Sequence, residues 1–383
     1  MSRSGVVAAE LHVGSVPAAA VLQAVRTGGP ITRDQLVLAT GLSAATVNRQ
    51  LHALTRVGLT VERPDLVDPG SIGRPKNPLT TDRDKLCVAG MHIGAKRTLL
   101  AIADIGGRTL YSHAVATPSG DGNDAISQLS TQLSELADRF SGRRLMWGGV
   151  ALGGDVDEHS GVVDHPVLGW RRVPVGLRLT EALGVPVSVC EHVQAMAAAE
   201  LLLGFPQDGG GTGLFCYARE TVGMAITFDG KVRVPARGAG TIAHLPVDAP
   251  LLAADAVQVS PLSTTLQDVI GSEALQAAAL RRGQTPEDHE LLDERARVLG
   301  QSLAMMRDVL NPDAIVVAGD AFAGHPRGLA PIQAAFDAAS HTPWPLELCP
   351  SRFGLRVQEG AAIVVALSVL YADPITSVTL SAD

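Results

Sequence analysis

Residues 32–58 read TRDQLVLATGLSAATVNRQLHALTRVG, and they decide how the N-terminal part of the chain folds. Thr32 followed three residues later by Gln35 is a capping-box pattern, in which the hydroxyl and the amide each satisfy a backbone N–H left free at a helix start. The short helix that opens there closes at Thr40-Gly41, and Gly41 allows the positive φ that a tight turn between crossed helices needs. Ser43 then caps a further helix whose buried stripe is Val47, Leu51 and Leu54. This is helix-turn-helix spacing. Starting at Ser43, the opposite face offers Ala44, Ala45, Thr46, Asn48 and Arg49, small or hydrogen-bonding groups able to approach base edges in a major groove.

Upstream, Ser15 is a candidate cap for a helix with Val21, Leu22 and Val25 at helical spacing and Pro17 tolerated in its first turn. Downstream, Leu59, Val61 and Val67 suit two short strands around a Pro/Gly turn that carries Arg74 and Lys76. Helices and hairpin together make a winged helix, expected over residues 1–82. The competing reading, a three-helix packing module with no nucleic-acid role, explains the caps. It does not explain a polar recognition face and a basic wing on the same module. Charge points the same way: residues 1–80 hold eight Lys/Arg against five Asp/Glu, and the remainder carries −11 of the overall −8. A small basic head on an acidic body expects phosphates at the head only.

With 383 residues, 46% of them hydrophobic and 18% charged, and a mean hydropathy of +0.20, the chain has material for two or three packed domains. Aromatics are only 3%, so the core is expected from Ala, Val and Leu. The apolar run GAAIVVALSVLYA (360–372) falls short of the roughly 18 residues a bilayer span needs. It reads as a buried helix. The first residues carry Glu10 and His12 where a signal core would be apolar, so a cytoplasmic location with no membrane partner is expected. Cys87, Cys190, Cys216 and Cys349 are far apart, with no CxxC or Cys/His cluster, and read as buried free thiols.

Beyond residue 83 the pattern is mixed α/β. Strands at 86–94 and 98–103, a further hairpin from Asp104, a helix at 124–140 capped by Asn123 and a strand at 148–152 form one group. Hairpins at GLFCYA and GMAITFDGKV, then helices and the strand AIVVAG at 314–319, repeat the plan. Two α/β lobes, 83–200 and 201–383, are expected, with a ligand cleft between them. The run Gly209–Gly213 resembles a phosphate loop by glycine content alone and reads as a connection before a strand. Asp155 and Asp157 read as turn formers in GGDVDEHSG, not as a catalytic carboxylate pair.

Taken together, GLSAATVNRQLHALTRVGL (41–59), GRPKNPL (73–79), HPVLGW (165–170), CEHVQAMAAAELLLG (190–204), GTIAHLPVD (240–248), LGQSLAMMRDVLNPDAIVVAGD (299–320) and EGAAIVVALSVLYADP (359–374) span nearly the whole chain. In these segments the chain resembles the ROK family of repressors and sugar kinases, specifically its repressor branch. The resemblance implies a winged helix-turn-helix followed by a two-lobed actin/hexokinase-type ATPase fold.

The departures from the kinase pattern bear on function. Where the kinases have a DIGGTK-like turn serving phosphate and metal, this chain has His92-Ile93-Gly94-Ala95-Lys96-Arg97, and histidine does not replace a carboxylate as a magnesium ligand. Their second, glycine-rich phosphate loop is here Glu220-Thr221-Val222-Gly223-Met224, and the place of their proton-accepting Asp falls on His192. By the resemblance, His244 matches the family's zinc histidine, but the segment that follows has no cysteine, so neither a metal nor any cofactor is expected. Of the implied sugar contacts, Val167, Thr241 and Gln267 replace an Asn and two Glu, while Gly154, His192, Gln194 and His244 keep polar atoms there. The resulting expectation is a DNA-binding regulator and not an enzyme. Its partners would be double-stranded operator DNA and a sugar, sugar phosphate or sugar acid, and it would act as a homodimer or dimer of dimers. The alternatives are a body that only oligomerises and an altered sugar kinase.

Overall fold

In the computed structural model, residues 5–67, 77–204, 210–235, 240–253 and 264–381 are described. They fall into two compact units, Met1–Asp208 with Gln358–Asp383, and Gly209–Val357.

The first unit opens with the winged helix. Helix α1 (Pro17–Thr27) starts after Val16 with no side-chain cap, so Ser15 does not cap it; Pro17, which has no N–H to satisfy, sets the start instead. In α2 (Arg33–Thr40) the capping box forms as its sequence requires, Thr32 N–H donating to Gln35 Oε1 at 2.8 Å, and Gly41 ends the helix at φ 67°. Helix α3 (Ala44–Arg56) buries Val47, Leu51 and Leu54 against the other two. Strand β1 (Thr60–Glu62) pairs antiparallel with β2 (Leu79–Thr81). Val67 is therefore not in the second strand. Leu79 takes that place because its side chain is fully buried and its backbone also exchanges hydrogen bonds with Ile31 at 2.8 and 3.0 Å.

Five strands follow in one sheet: β3 (Leu86–Ile93), β4 (Arg97–Asp104), β5 (Thr109–Ala116), β6 (Arg144–Leu152) and, after a small sheet of β7 (Asp155–Asp157), β8 (Val162–His165) and β9 (Trp170–Pro174), the edge strand β10 (Val187–Glu191). Asp157 accepts from Ser160 Oγ at 2.6 Å and from His159 N–H at 3.1 Å, shaping the turn after β7. Helices α4 (Gly122–Asp138), α5 (Val175–Leu183) and α6 (His192–Leu203) connect the strands. Asp121, not Asn123, caps α4, accepting from the N–H groups of Asn123 and Asp124. An ionised carboxylate is the stronger acceptor.

The second unit contains β11 (Thr212–Ala218), β12 (Val222–Phe228), β13 (Lys231–Val232), α7 (Leu266–Ile270), α8 (Ser272–Arg282), α9 (His289–Leu310), β14 (Ala314–Ala318), α10 (Asp320–Ala323), α11 (Ala330–Ala339) and β15 (Leu348–Pro350). Its strand order β13-β12-β11-β14-β15 repeats the first unit's β5-β4-β3-β6-β10: an antiparallel meander on one side and two parallel strands on the other.

The chain then returns to the first unit as α12 (Val357–Ala372) and α13 (Pro374–Leu380), so the 201–383 lobe expected from the sequence ends earlier in the structure. The reason is burial. Alternate residues of β3 and β6 face α4 and α5, and the others, Gly90 and Gly149 among them, face α12. A Cβ on Gly90 would lie 2.6 Å from Ala362 O, and one on Gly149 would lie 2.3 Å from Ala366 N. Ala361 to Leu367 are all nearly or fully buried there. Together with the 3-10 turn Gly354–Arg356 before it, this apolar helix is the one among the described residues with the length and composition of a membrane span, and it is core. Residues 5–14 also belong with this body. Val6 makes a parallel bridge to Val187 on the free edge of β10, with Val187 N–H donating to Gly5 O at 2.8 Å. We expect Gly149→Ala to destabilise the protein by about 1–3 kcal/mol through overpacking. Urea unfolding checks this, and an unchanged midpoint would show that α12 does not sit against β6.

Candidate functional site

Helix α3 has the exposure a recognition helix requires. Ser43, Ala44, Ala45, Asn48 and Arg49 are exposed and Thr46 is half-buried. Ser43 is committed to the helix start, its Oγ accepting from Thr46 N–H at 3.2 Å and lying 3.0 Å from Thr46 Oγ1. Asn48 and Arg49 hold no side-chain partner among the described residues, so neither has to be pulled from a hydrogen bond to meet a base. His52 continues the same face one turn on and is exposed too. Its spacing from Ala45, Asn48 and Arg49 is the signal that adds it to the face. Arg74 and Lys76 lie outside the described residues.

A second grouping forms in the first unit where β10 runs into α6. Glu191 caps α6, its Oε2 accepting from the N–H groups of Val193 and Gln194 at 2.9 and 3.0 Å, while its Oε1 lies 3.5 Å from His192 Nε2. The His192 ring stacks on buried His92 from β3, with centroids 5.7 Å apart and planes 16° from parallel. His165 from β8 closes the group: a Cβ on Gly153 would sit 3.4 Å from its Nε2 and 3.7 Å from His192 Nε2. Burial, and then the charge of His192, hold His165 below the ordinary imidazole value. Gly154 takes φ 94°, and a Cβ there would collide with Asp164 O at 2.4 Å, so Gly153 lets the backbone pass close to the imidazoles and Gly154 lets it pass close to the backbone of β8. Gln194 is buried, and its Oε1 has no hydrogen-bond partner among the described residues. Val167 stands apart, 71% exposed on the turn Pro166–Leu168. His165 was not among the residues chosen from sequence, although it opens the HPVLGW motif.

In the second unit the structure gathers Thr241 and Gln267 around the turn between β11 and β12. Gln267 Oε1 accepts from Val222 N–H at 2.8 Å and its Nε2 donates to Glu220 O at 2.8 Å. Thr241 Oγ1 donates to Val222 O at 3.3 Å and accepts from Ala243 N–H at 3.0 Å. The side chains read from sequence as ligand contacts are thus engaged with backbone. They tie shut the segment that a phosphate-binding enzyme would leave open with its N–H groups outward. Glu220 adds a carboxylate at the same turn, 3.3 Å from Arg219. His244 is exposed on the turn that follows. No group of three or more His, Cys, Asp or Glu among the described residues is arranged to hold a metal ion. One imidazole followed by a cysteine-free segment does not fit a structural zinc. Cys87, Cys190 and Cys216 are buried thiols, and burial raises Cys87 to about 11 and Cys216 to about 12; Cys349 is partly exposed.

A winged helix on a duplicated α/β body, with an exposed donor-bearing helix face and a β11–β12 turn closed by its own side chains, is the architecture of a transcriptional regulator. The chain belongs to the ROK family, whose profile matches residues 88–337. It is 43% identical over 394 residues to a transcriptional regulator of Mycobacterium tuberculosis, covering 95% of this chain and 88% of that protein. It is 23% identical over 347 residues to the N-acetylglucosamine repressor of Shigella flexneri, covering 80% and 81%. Among solved structures it is similar to a ROK family transcriptional regulator homologous to the Escherichia coli MLC protein, with TM-score 0.76, 21% identity and coverage of 94% and 98%. A ROK hexokinase from Thermus thermophilus has TM-score 0.58, 22% identity and coverage of 73% and 97%; at these identities both likenesses concern the fold.

The Gln267 bridge gives a direct expectation. Gln267→Ala removes a half-buried bond from Val222 N–H and an exposed one to Glu220 O, leaving both groups to water, and we expect a loss of about 1 kcal/mol of stability. Thermal unfolding checks it, and an unchanged transition would mean that the turn is held by other groups.

Proposed function

We propose that the protein binds operator DNA in the cytoplasm as a homodimer or dimer of dimers. In this reading α3 reads base edges, the wing tracks the backbone, and the body acts as a sensor without kinase activity. The observation that carries it is the face of α3, where Asn48 and Arg49 stand exposed and uncommitted beside two alanines small enough to let the helix approach a groove. The overall charge of −8 supports contact through the head alone. Arg49→Ala should weaken binding to the specific duplex by about 1–3 kcal/mol and relax preference at one position per half-site, measured by anisotropy on specific and scrambled duplexes. Equal loss on both would make Arg49 a phosphate contact. Loss of Arg74 and Lys76 together should lower the salt dependence of binding.

For the body, charge and closure support a reading without phosphoryl transfer. Imidazoles stand at 92 and 192, where a kinase needs carboxylates for metal and proton, and Val222 N–H is already satisfied by Gln267. Calorimetry with ATP and magnesium should give no binding in the micromolar range; a micromolar site would overturn this part. The effector reading is an anionic sugar derivative, a phosphate or an acid, held at His92, His165, His192 and Gln194. It is supported by the clustering of imidazole and amide groups there; the relative named for N-acetylglucosamine supports a sugar in general and not its anionic group. A thermal-shift panel tests it, since a ligand at 100 times its Kd stabilises by about 2.7 kcal/mol. His192→Ala should remove that shift. A body that binds no small molecule is the second reading, favoured by the commitment of Thr241 and Gln267 to backbone.

A further inference from the structure

In the structure the winged helix is held onto the rest of the first unit at three places, and Arg26 is at the centre of them. Arg26 lies in the last turn of α1 and donates from Nη2 to Leu202 O, one of the last carbonyls of α6. Its guanidinium carbon also stands 4.0 Å over the centroid of the Tyr371 ring on α12. Tyr371 is itself fixed, its hydroxyl donating to Ile105 O at 3.0 Å in a buried bond. A cation between a helix C-terminus and an aromatic face meets two sources of negative potential at once. The second attachment is the segment before α1: beyond its bridge to β10, Glu10 N–H donates to Ser368 Oγ and Gly14 N–H to Tyr371 O, each at 3.3 Å, both on α12. Gly14 passes so close to Ala372 that a Cβ on it would overlap the carbonyl. The third is α13, which packs on α1 and α3.

We propose that Arg26 is a latch through which the first unit sets the pose of the DNA-reading helix, so that the head meets DNA as part of the body and not as a module on a tether. The latch joins α1 to α6 and α12, and α3 follows because it is packed on α1 and α13. Helix α6 has His192 and Gln194 in its first turn and the Arg26 acceptor at its other end, about 12–15 Å away at 1.5 Å per residue. A ligand that shifts α6 would thus act on the head through the latch. That extension rests on the effector reading, whereas the test below uses no effector and separates the two.

Full-length Arg26→Gln and Tyr371→Leu break the latch from opposite sides, and Arg26→Lys keeps its charge. Amide hydrogen exchange reads the attachment. Anisotropy reads its consequence, on the duplex that wild type most enriches from a randomised pool and on a scrambled duplex of equal length. Both latch-breaking variants should raise exchange over residues 5–27 by about tenfold, with residues 33–56 within about twofold of wild type. Both should lose about fivefold in affinity for the enriched duplex and less than about twofold for the scrambled one, because phosphate contacts tolerate a change of pose that base contacts do not. Arg26→Lys should retain most of the wild-type protection. Wild-type exchange over 5–27, wild-type affinity for the enriched duplex, or a rise in exchange running through 33–56 would each overturn the proposal. The last would mean that Arg26 holds the head's fold and not its pose.

Discussion

The close approach of α12 to β3 and β6 is the contact on which the first unit depends. Gly90 and Gly149 remove the side chains that would hold the helix off the sheet, and Ala362 and Ala366 fill the space. An apolar helix with no polar face has to be covered on all sides, and here the sheet, the N-terminal segment and α13 cover it. Once seated, α12 supplies Glu359, whose carboxylate accepts from Thr109 and Ser112 of β5 at 2.6 Å each, and Ser368 and Tyr371, which receive the segment before α1. The far edge of the sheet and the docking of the head are thus anchored by one helix whose own stability is hydrophobic.

The chemistry of the body follows from a few exchanges at positions where a sugar kinase handles charge. Replacing carboxylates by imidazoles at 92 and 192 removes the groups that would draw a divalent cation and gathers nitrogens against Glu191 and His165. In the second unit the exchange is of another kind: an amide at 267 and a hydroxyl at 241 satisfy the backbone of a turn that phosphate-binding enzymes keep available. The duplicated sheets around these positions are fixed by burial and not by a ligand.

What the sequence made legible was what is local. Thr32 with Gln35, Gly41 and Ser43 lie within a few residues of the backbone groups they serve, and the structure contains each of them as expected. The central strands and meanders of both sheets were visible from alternation and apolar runs, though not the edge strands β10 and β15; the buried nature of α12 was visible from its composition, and the family from motifs spread along the chain. What escaped was set by distant partners. The second wing strand lies at 79–81 and not at Val67 because Ile31 and β1 select it. Residues 5–14 join β10 across some 180 positions, and nothing in a short polar-apolar segment announces a single parallel bridge. Helices α12 and α13 return to the first unit for the same reason. In the candidate sites, the exposed face of α3 was readable from helical spacing, whereas the histidine at 192 came from the family resemblance alone. The roles of Thr241 and Gln267 were not readable, since residue type at a ligand position does not tell whether a side chain points at a ligand or at its own backbone.

The most direct measurement is the structure of the full chain bound to the duplex it enriches from a genomic library. The expected result has α3 in the major groove with Arg49 at a base edge, and Arg26 still on Leu202 O and the Tyr371 ring. A complex in which α3 lies off the DNA, or in which nucleic acid contacts the body and leaves the head untouched, would contradict it.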